Sequence, residues 1–155
     1  MHRKIRPIRD GVTFLQLAPS PIRQRLPLFG SRLRAGFPSP ADDYIEGKID
    51  LNLYLAEHPA ATFMVRVDGD SMTGAGIFPG DIAIVDRSLV DSDLKAMHNK
   101  IVLAVLDGEF TIKRLSTKGQ TILLMPENDK YDPIAITEAS EFTVWGVVKH
   151  SIRHL

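Results

Sequence analysis

Cysteine is absent from the 155 residues, which excludes a disulfide framework and any thiolate metal site and fits a reducing cytosol. Long apolar runs are missing as well. The longest, Ile101–Leu106, falls far short of the roughly twenty residues that cross a bilayer. The N-terminus reads Met-His-Arg-Lys, with no apolar signal-peptide core, so the sequence predicts a cytoplasmic protein with no membrane association. Nor is there an excess charge of one sign, because nineteen Lys/Arg balance nineteen Asp/Glu. That balance argues against strong direct nucleic-acid binding through phosphate neutralisation. No phosphate-loop or dinucleotide signature occurs, and Gly74-Ala75-Gly76 reads as an isolated turn.

What is present is unevenly spread. Residues 1–34 hold eight Lys/Arg and one acid, while residues 35–155 hold eleven Lys/Arg and eighteen acids, so a basic arm faces an acidic body. Six of the ten prolines, at 7, 19, 21, 27, 38 and 40, fall in the first forty residues, where they forbid long helices and withhold sheet donors. The expected organisation is an extended, mobile arm over 1–35 and one folded domain over 36–155.

The body reads as mainly β. Asp50 can cap a short helix with Leu51, Tyr54 and Leu55 on one face, ending before Pro59. Strand patterns follow at 62–67, 82–85, 100–106, 109–115, 121–125, 134–136 and 142–150, separated by Gly, Asp and Pro. Asp107-Gly108 between two apolar runs predicts a two-residue hairpin. Strand alternation then puts Thr111, Lys113 and Leu115 on one face and Phe110, Ile112 and Arg114 on the other, with Arg114 expected in solvent. The architecture predicted is a curled antiparallel β-structure with Ser71 at the mouth of a cleft and Lys113 on its floor.

Ser71, in Gly69-Asp70-Ser71-Met72, and Lys113, in Thr111-Ile112-Lys113-Arg114, are the chemically suggestive pair. A serine hydroxyl is a poor nucleophile until a base takes its proton, and a lysine serves as that base only when held neutral. Phe110, Ile112 and Leu115 around Lys113 suggest an apolar setting, which disfavours the ammonium form. Either residue alone is ordinary, since Gly-Asp-Ser is a common turn and most strand lysines are solvated. The five histidines, at 2, 58, 98, 150 and 154, offer no spacing that favours a triad or a metal site.

The order Ala35-Gly36, then Gly69-Asp70-Ser71-Met72, then Gly108-Glu109-Phe110-Thr111-Ile112-Lys113 resembles the LexA family of self-cleaving proteins, and within it the UmuD-type SOS mutagenesis proteins. Gly36-Phe37-Pro38-Ser39-Pro40-Ala41-Asp42-Asp43-Tyr44, Ile49-Asp50-Leu51-Asn52-Leu53, Gly80-Asp81-Ile82-Ala83-Ile84-Val85-Asp86 and Gly146-Val147-Val148 extend the likeness from about residue 35 onward. The resemblance implies a LexA- or signal-peptidase-like fold with Ser71 as nucleophile, Lys113 as general base, and Ala35-Gly36 as the bond cut. Backbone N–H groups around Ser71, those of Asp70 and Ser71 itself, would serve the oxyanion. Two departures stand out: Ala35 where the family often has cysteine, and a longer segment around 89–100.

The family's partners come with the likeness: a second copy in a homodimer, a UmuC-type translesion polymerase, a RecA filament on single-stranded DNA, and the sliding clamp, with no cofactor. A proline-broken arm cannot build the helix-turn-helix of a LexA-type repressor, which argues against repression. The alternative expectation is a non-catalytic adaptor that docks a polymerase or filament.

Overall fold

The computed structural model describes residues 12–15, 25–29 and 45–155. Among the described residues ten strands run in chain order: β1 Val12–Leu15, β2 Arg25–Phe29, β3 Ile45–Asp50, β4 Thr62–Val67, β5 Ile82–Asp86, β6 Ile101–Leu106, β7 Glu109–Lys118, β8 Thr121–Met125, β9 Ile134–Ile136 and β10 Phe142–Ile152. A helix, α1 Leu51–Leu55, lies between β3 and β4. Eight strands form one curled antiparallel sheet in the order β1-β4-β5-β10-β6-β7-β8-β9, and β2 pairs with β3 in a second sheet. The mainly β reading therefore holds.

Hydrophobic patterning explains why this sheet is the core rather than a cover. β6 is apolar at every position, as a strand packed on both faces must be. Its Leu103 joins one buried cluster with Val65, Val67, Met72, Ala83, Val85 and Ile112. Val102 and Ala104, one step out of phase, join another with Met97, Leu115, Leu124, Val144 and Val147. The hairpin turn forms as expected, with both Asp107 and Gly108 at positive φ, 50° and 83°.

Several expectations change. The helix is capped by Asp50, whose carboxylate accepts from the Asn52 N–H at 3.0 Å, but it buries none of its side chains, so its apolar face is not a core face. Within the arm, β1 pairs with β4 and β2 pairs with β3, so these two stretches are docked strands rather than free chain. Pro27 stands opposite Lys48 in this two-stranded sheet. β10 runs on to Ile152, which pairs with Ile82, because Arg153 just beyond it is held by Asp81. Arg114 is not free in solvent. It is half-buried and bonded to Glu127 and to the Asn99 carbonyl.

Candidate active site

Ser71 occupies an irregular turn whose two ends are fixed by different forces. Before it, β4 ends at Val67, whose N–H donates to the Asp81 carbonyl at 2.9 Å while its own carbonyl accepts from Gly80 at 2.7 Å. After it, Met72 is 2% exposed and anchors the chain in the core. A single turn of 3-10 helix, Thr73–Ala75, follows and closes on Gly76 at φ 80°, where an L side chain would be strained. With Met72 drawn inward, the preceding side chain faces a cleft of ≈ 450 Å³.

Lys113 reaches the same cleft from β7. Pairing with Val102 of β6 sets its register, and packing of Ile112 into the core leaves the lysine only 8% exposed. Its Nζ lies 2.8 Å from Ser71 Oγ, 2.9 Å from Thr111 Oγ1 and 3.1 Å from the Ile112 carbonyl oxygen. A neutral amine has two N–H donors and one lone pair. Thr111 and Ile112 can take the donors, which leaves the lone pair for the hydroxyl proton of Ser71. Burial pushes the Lys113 amine below its ordinary 10.5, because water no longer solvates the ammonium form. Among the described residues no carboxylate lies within ion-pair distance of Lys113 to reverse that effect.

The cleft wall combines apolar Val67, Phe110 and Ile134 with Asp68, Tyr131 and Asp132. β8 takes up its pairing with β7 at Arg114, so residues 110–113 of β7 line the cleft beyond that junction. The loop after β8 then crosses to the serine turn. The Glu127 N–H donates to the Ser71 carbonyl at 2.8 Å, and the Gly74 N–H donates to the Glu127 carbonyl at 2.6 Å. Asn128 Nδ2 donates to the Asp70 carbonyl at 2.9 Å, and the Tyr131 hydroxyl donates to the Asp70 carboxylate. That carboxylate raises the Tyr131 pKa by stabilising the protonated phenol.

Thus Ser71 and Lys113, forty-two positions apart, come into contact. Asp70 sits beside them with its carboxylate turned to Tyr131. The Ala35-Gly36 bond lies outside the described residues. His58 bonds Asp86 at 2.7 Å and His98 accepts from the Thr117 N–H at 2.9 Å, so neither histidine serves Ser71. Among the described residues no group of three His, Asp or Glu could hold a metal ion. Sequence reasoning missed Glu127, Asn128 and Tyr131, because Pro126-Glu127-Asn128-Asp129 carries only the signal of a turn. It also took Gly74 for an isolated turn residue, whereas a Cβ there would stand 2.5 Å from the Glu127 carbonyl oxygen.

Comparison with known proteins identifies a family for the chain. A family model described as Peptidase S24-like matches residues 27–149. Protein SamA of Salmonella typhimurium strain LT2 is 44% identical over 141 residues, which are 90% of this chain and 96% of that protein. Protein MucA of Salmonella typhimurium is 41% identical over 128 residues, 82% of this chain and 84% of MucA. A LexA repressor of Idiomarina loihiensis is 38% identical over 136 residues, 86% of this chain but 62% of the repressor. The chain belongs to the Peptidase S24-like family, and within it to the UmuD-like SOS mutagenesis proteins of the LexA group.

Proposed function

We propose that this protein is a serine peptidase that cuts its own Ala35-Gly36 bond, with Ser71 as nucleophile and Lys113 as general base. The observation that carries the reading is the 2.8 Å approach of a buried lysine amine to a serine hydroxyl at the edge of a cleft. The Ser71 Oγ–H proton passes to Lys113 Nζ as Oγ bonds to the Ala35 carbonyl carbon. The resulting oxyanion is met by the backbone N–H groups of Asp70 and Ser71. Collapse breaks the C–N bond, and Lys113 returns the proton to the Gly36 nitrogen. Water then attacks the Ala35 ester, with Lys113 again taking and returning one proton, and Ser71 is restored. The products are an Ala35 carboxylate and a new Gly36 amine.

The substrate's chemistry suits the cleft. Gly36 has no side chain, and Pro38 and Pro40 favour extended backbone, the form that lies along a strand such as β7. The bond falls in the connection over 30–44 between β2 and β3, so cutting it separates both arm strands from the body. Loss of the arm turns a neutral protein into an acidic one. The cut product acts in the cytoplasm as a homodimer that joins a UmuC-type translesion polymerase, with a RecA filament promoting the cut and the sliding clamp as a further partner. The filament acts by binding the cutting-competent conformation better than the resting one.

The test is to hold the purified protein at mildly alkaline pH, or with a RecA filament, and to weigh the products. A new mass beginning at Gly36, absent from Ser71→Ala and Lys113→Ala, is the expected result. Wild type that stays full length under both conditions refutes self-cleavage and leaves the non-catalytic adaptor.

A further inference from the structure

Lys113 sits in a regular strand with its register fixed, whereas Ser71 sits in a turn with no strand partner. Proton transfer between them needs the two atoms held to a fraction of an ångström. The Val67 bonds to Asp81 and Gly80 and the buried Met72 fix the two ends of that turn. Between and just beyond them it is held to the loop after β8: the Ser71 carbonyl accepts from the Glu127 N–H at 2.8 Å, the Gly74 N–H donates to the Glu127 carbonyl at 2.6 Å, and the Asp70 carbonyl accepts from Asn128 Nδ2 at 2.9 Å.

Glu127 is itself tied down from β7. Its carboxylate accepts from Arg114 Nε, and Arg114 Nη1 donates to the Asn99 carbonyl at 2.6 Å. Arg114 is the residue next to Lys113 and lies on the alternate face of the strand. One step of β7 therefore carries the base, and the next carries the anchor of the loop that grips the nucleophile. A shift of β7 moves both together, so their spacing is conserved. The contact of Gly74 with Glu127 is close enough that even a methyl group at Gly74 would collide with it.

We propose that Arg114, Glu127 and Asn128 are positioning residues for the nucleophile, forming with Gly74 a clamp that sets the Ser71 to Lys113 distance. The inference rests on the peptidase reading above. Stability is not the reason for the pair: the Arg114 and Glu127 side chains are 32% and 30% exposed, and such ion pairs contribute little to folding.

The experiment uses the full chain as wild type, Arg114→Ala, Arg114→Lys, Glu127→Gln and Asn128→Ala. Three quantities are read: labelling of Ser71 by a fluorophosphonate over a range of pH, hydrogen exchange at the Glu127 and Gly74 amides, and the melting temperature. Arg114→Ala, Glu127→Gln and Asn128→Ala should lower the plateau labelling rate roughly 10- to 100-fold, the scale of an ångström-sized misplacement. The midpoint of the pH profile should not move, because the burial of Lys113 is untouched, and Arg114→Lys should recover part of the rate. The two amides should exchange about tenfold faster or more in Arg114→Ala, while the melting temperature stays close to wild type. Unchanged labelling, a displaced midpoint, or amides as protected as in wild type would overturn the clamp. If no form, wild type included, reacts at any pH, the dyad reading fails on its own account, and amide exchange alone then decides whether the clamp exists.

Discussion

Acid should weaken this fold through one buried carboxylate. Asp81 is 1% exposed and accepts from the Phe78 N–H at 2.9 Å, Ser151 Oγ at 2.9 Å, Arg153 Nε at 2.8 Å and Arg153 Nη2 at 2.7 Å. Led by the Arg153 bonds, these partners hold its pKa down from 3.8 to about 2 against the opposing effect of burial. A carboxyl depressed by that much contributes about 2 kcal/mol of stability, at roughly 1.4 kcal/mol per unit. The sign follows from proton counts: below 3.8 the unfolded chain takes up a proton that the folded chain refuses until about 2. The contribution is thus complete above pH 4 or so and is lost as pH falls towards 2. It matters to the site because the Asp81 carbonyl also fixes Val67 at the start of the serine turn. Urea unfolding of wild type and Asp81→Asn from pH 7 to 2 measures it. The gap between the two should shrink by about 2 kcal/mol across the acid window. A gap that stays constant over that window would refute the reasoning.

Other outcomes follow from the same contacts. Lys113→Met should abolish cleavage and change the pH dependence of stability. Between its lowered pKa and 10.5 the folded wild type binds fewer protons than the unfolded chain, so wild type gains stability relative to Lys113→Met as pH rises through that interval. A flat difference in urea midpoints would count against the burial of the amine. Gly74→Ala should lower stability by about 1–3 kcal/mol, since the Glu127 backbone must move to admit the methyl group, and thermal denaturation reads it. A chain starting at Gly36 lacks β1, so the β4 amides that face it should lose protection in hydrogen exchange relative to the full chain. Equal protection in both would contradict the pairing.

Local patterning made most of this fold legible. The strands at 62–67, 121–125 and 134–136 stand at the expected residues, and the helix begins at the Asp50 cap as expected. These elements declare themselves through periodicity, turns and capping, all of which act within a few positions. What escaped depends on distant partners. The sequence pattern ends β10 at His150, because nothing near its end announces that Arg153 pairs with Asp81, seventy-two positions away. Alternation alone puts Arg114 in solvent, yet Glu127 and Asn99 draw it in. Proline content spoke for an arm kept out of any sheet, and the two strands it forms add at an edge or in a two-stranded ribbon, where proline is least harmful. The contacting pair Ser71 and Lys113 is visible through motif order, whereas the loop that grips Ser71 is not, because its bonds to Ser71 and Gly74 use backbone atoms that any sequence supplies and its Asn128 and Glu127 side chains act on partners distant in the chain.

The charge state of Lys113 is the most direct test. In the Ser71→Ala chain, which cannot cut itself, the 13Cε resonances of labelled lysines can be followed by NMR against pH, with Lys113→Met identifying the signal that belongs to the site. A midpoint below the ordinary 10.5 is expected, so that neutral amine is on hand at mildly alkaline pH. A midpoint at or above 10.5 would leave the serine without a base and contradict the account.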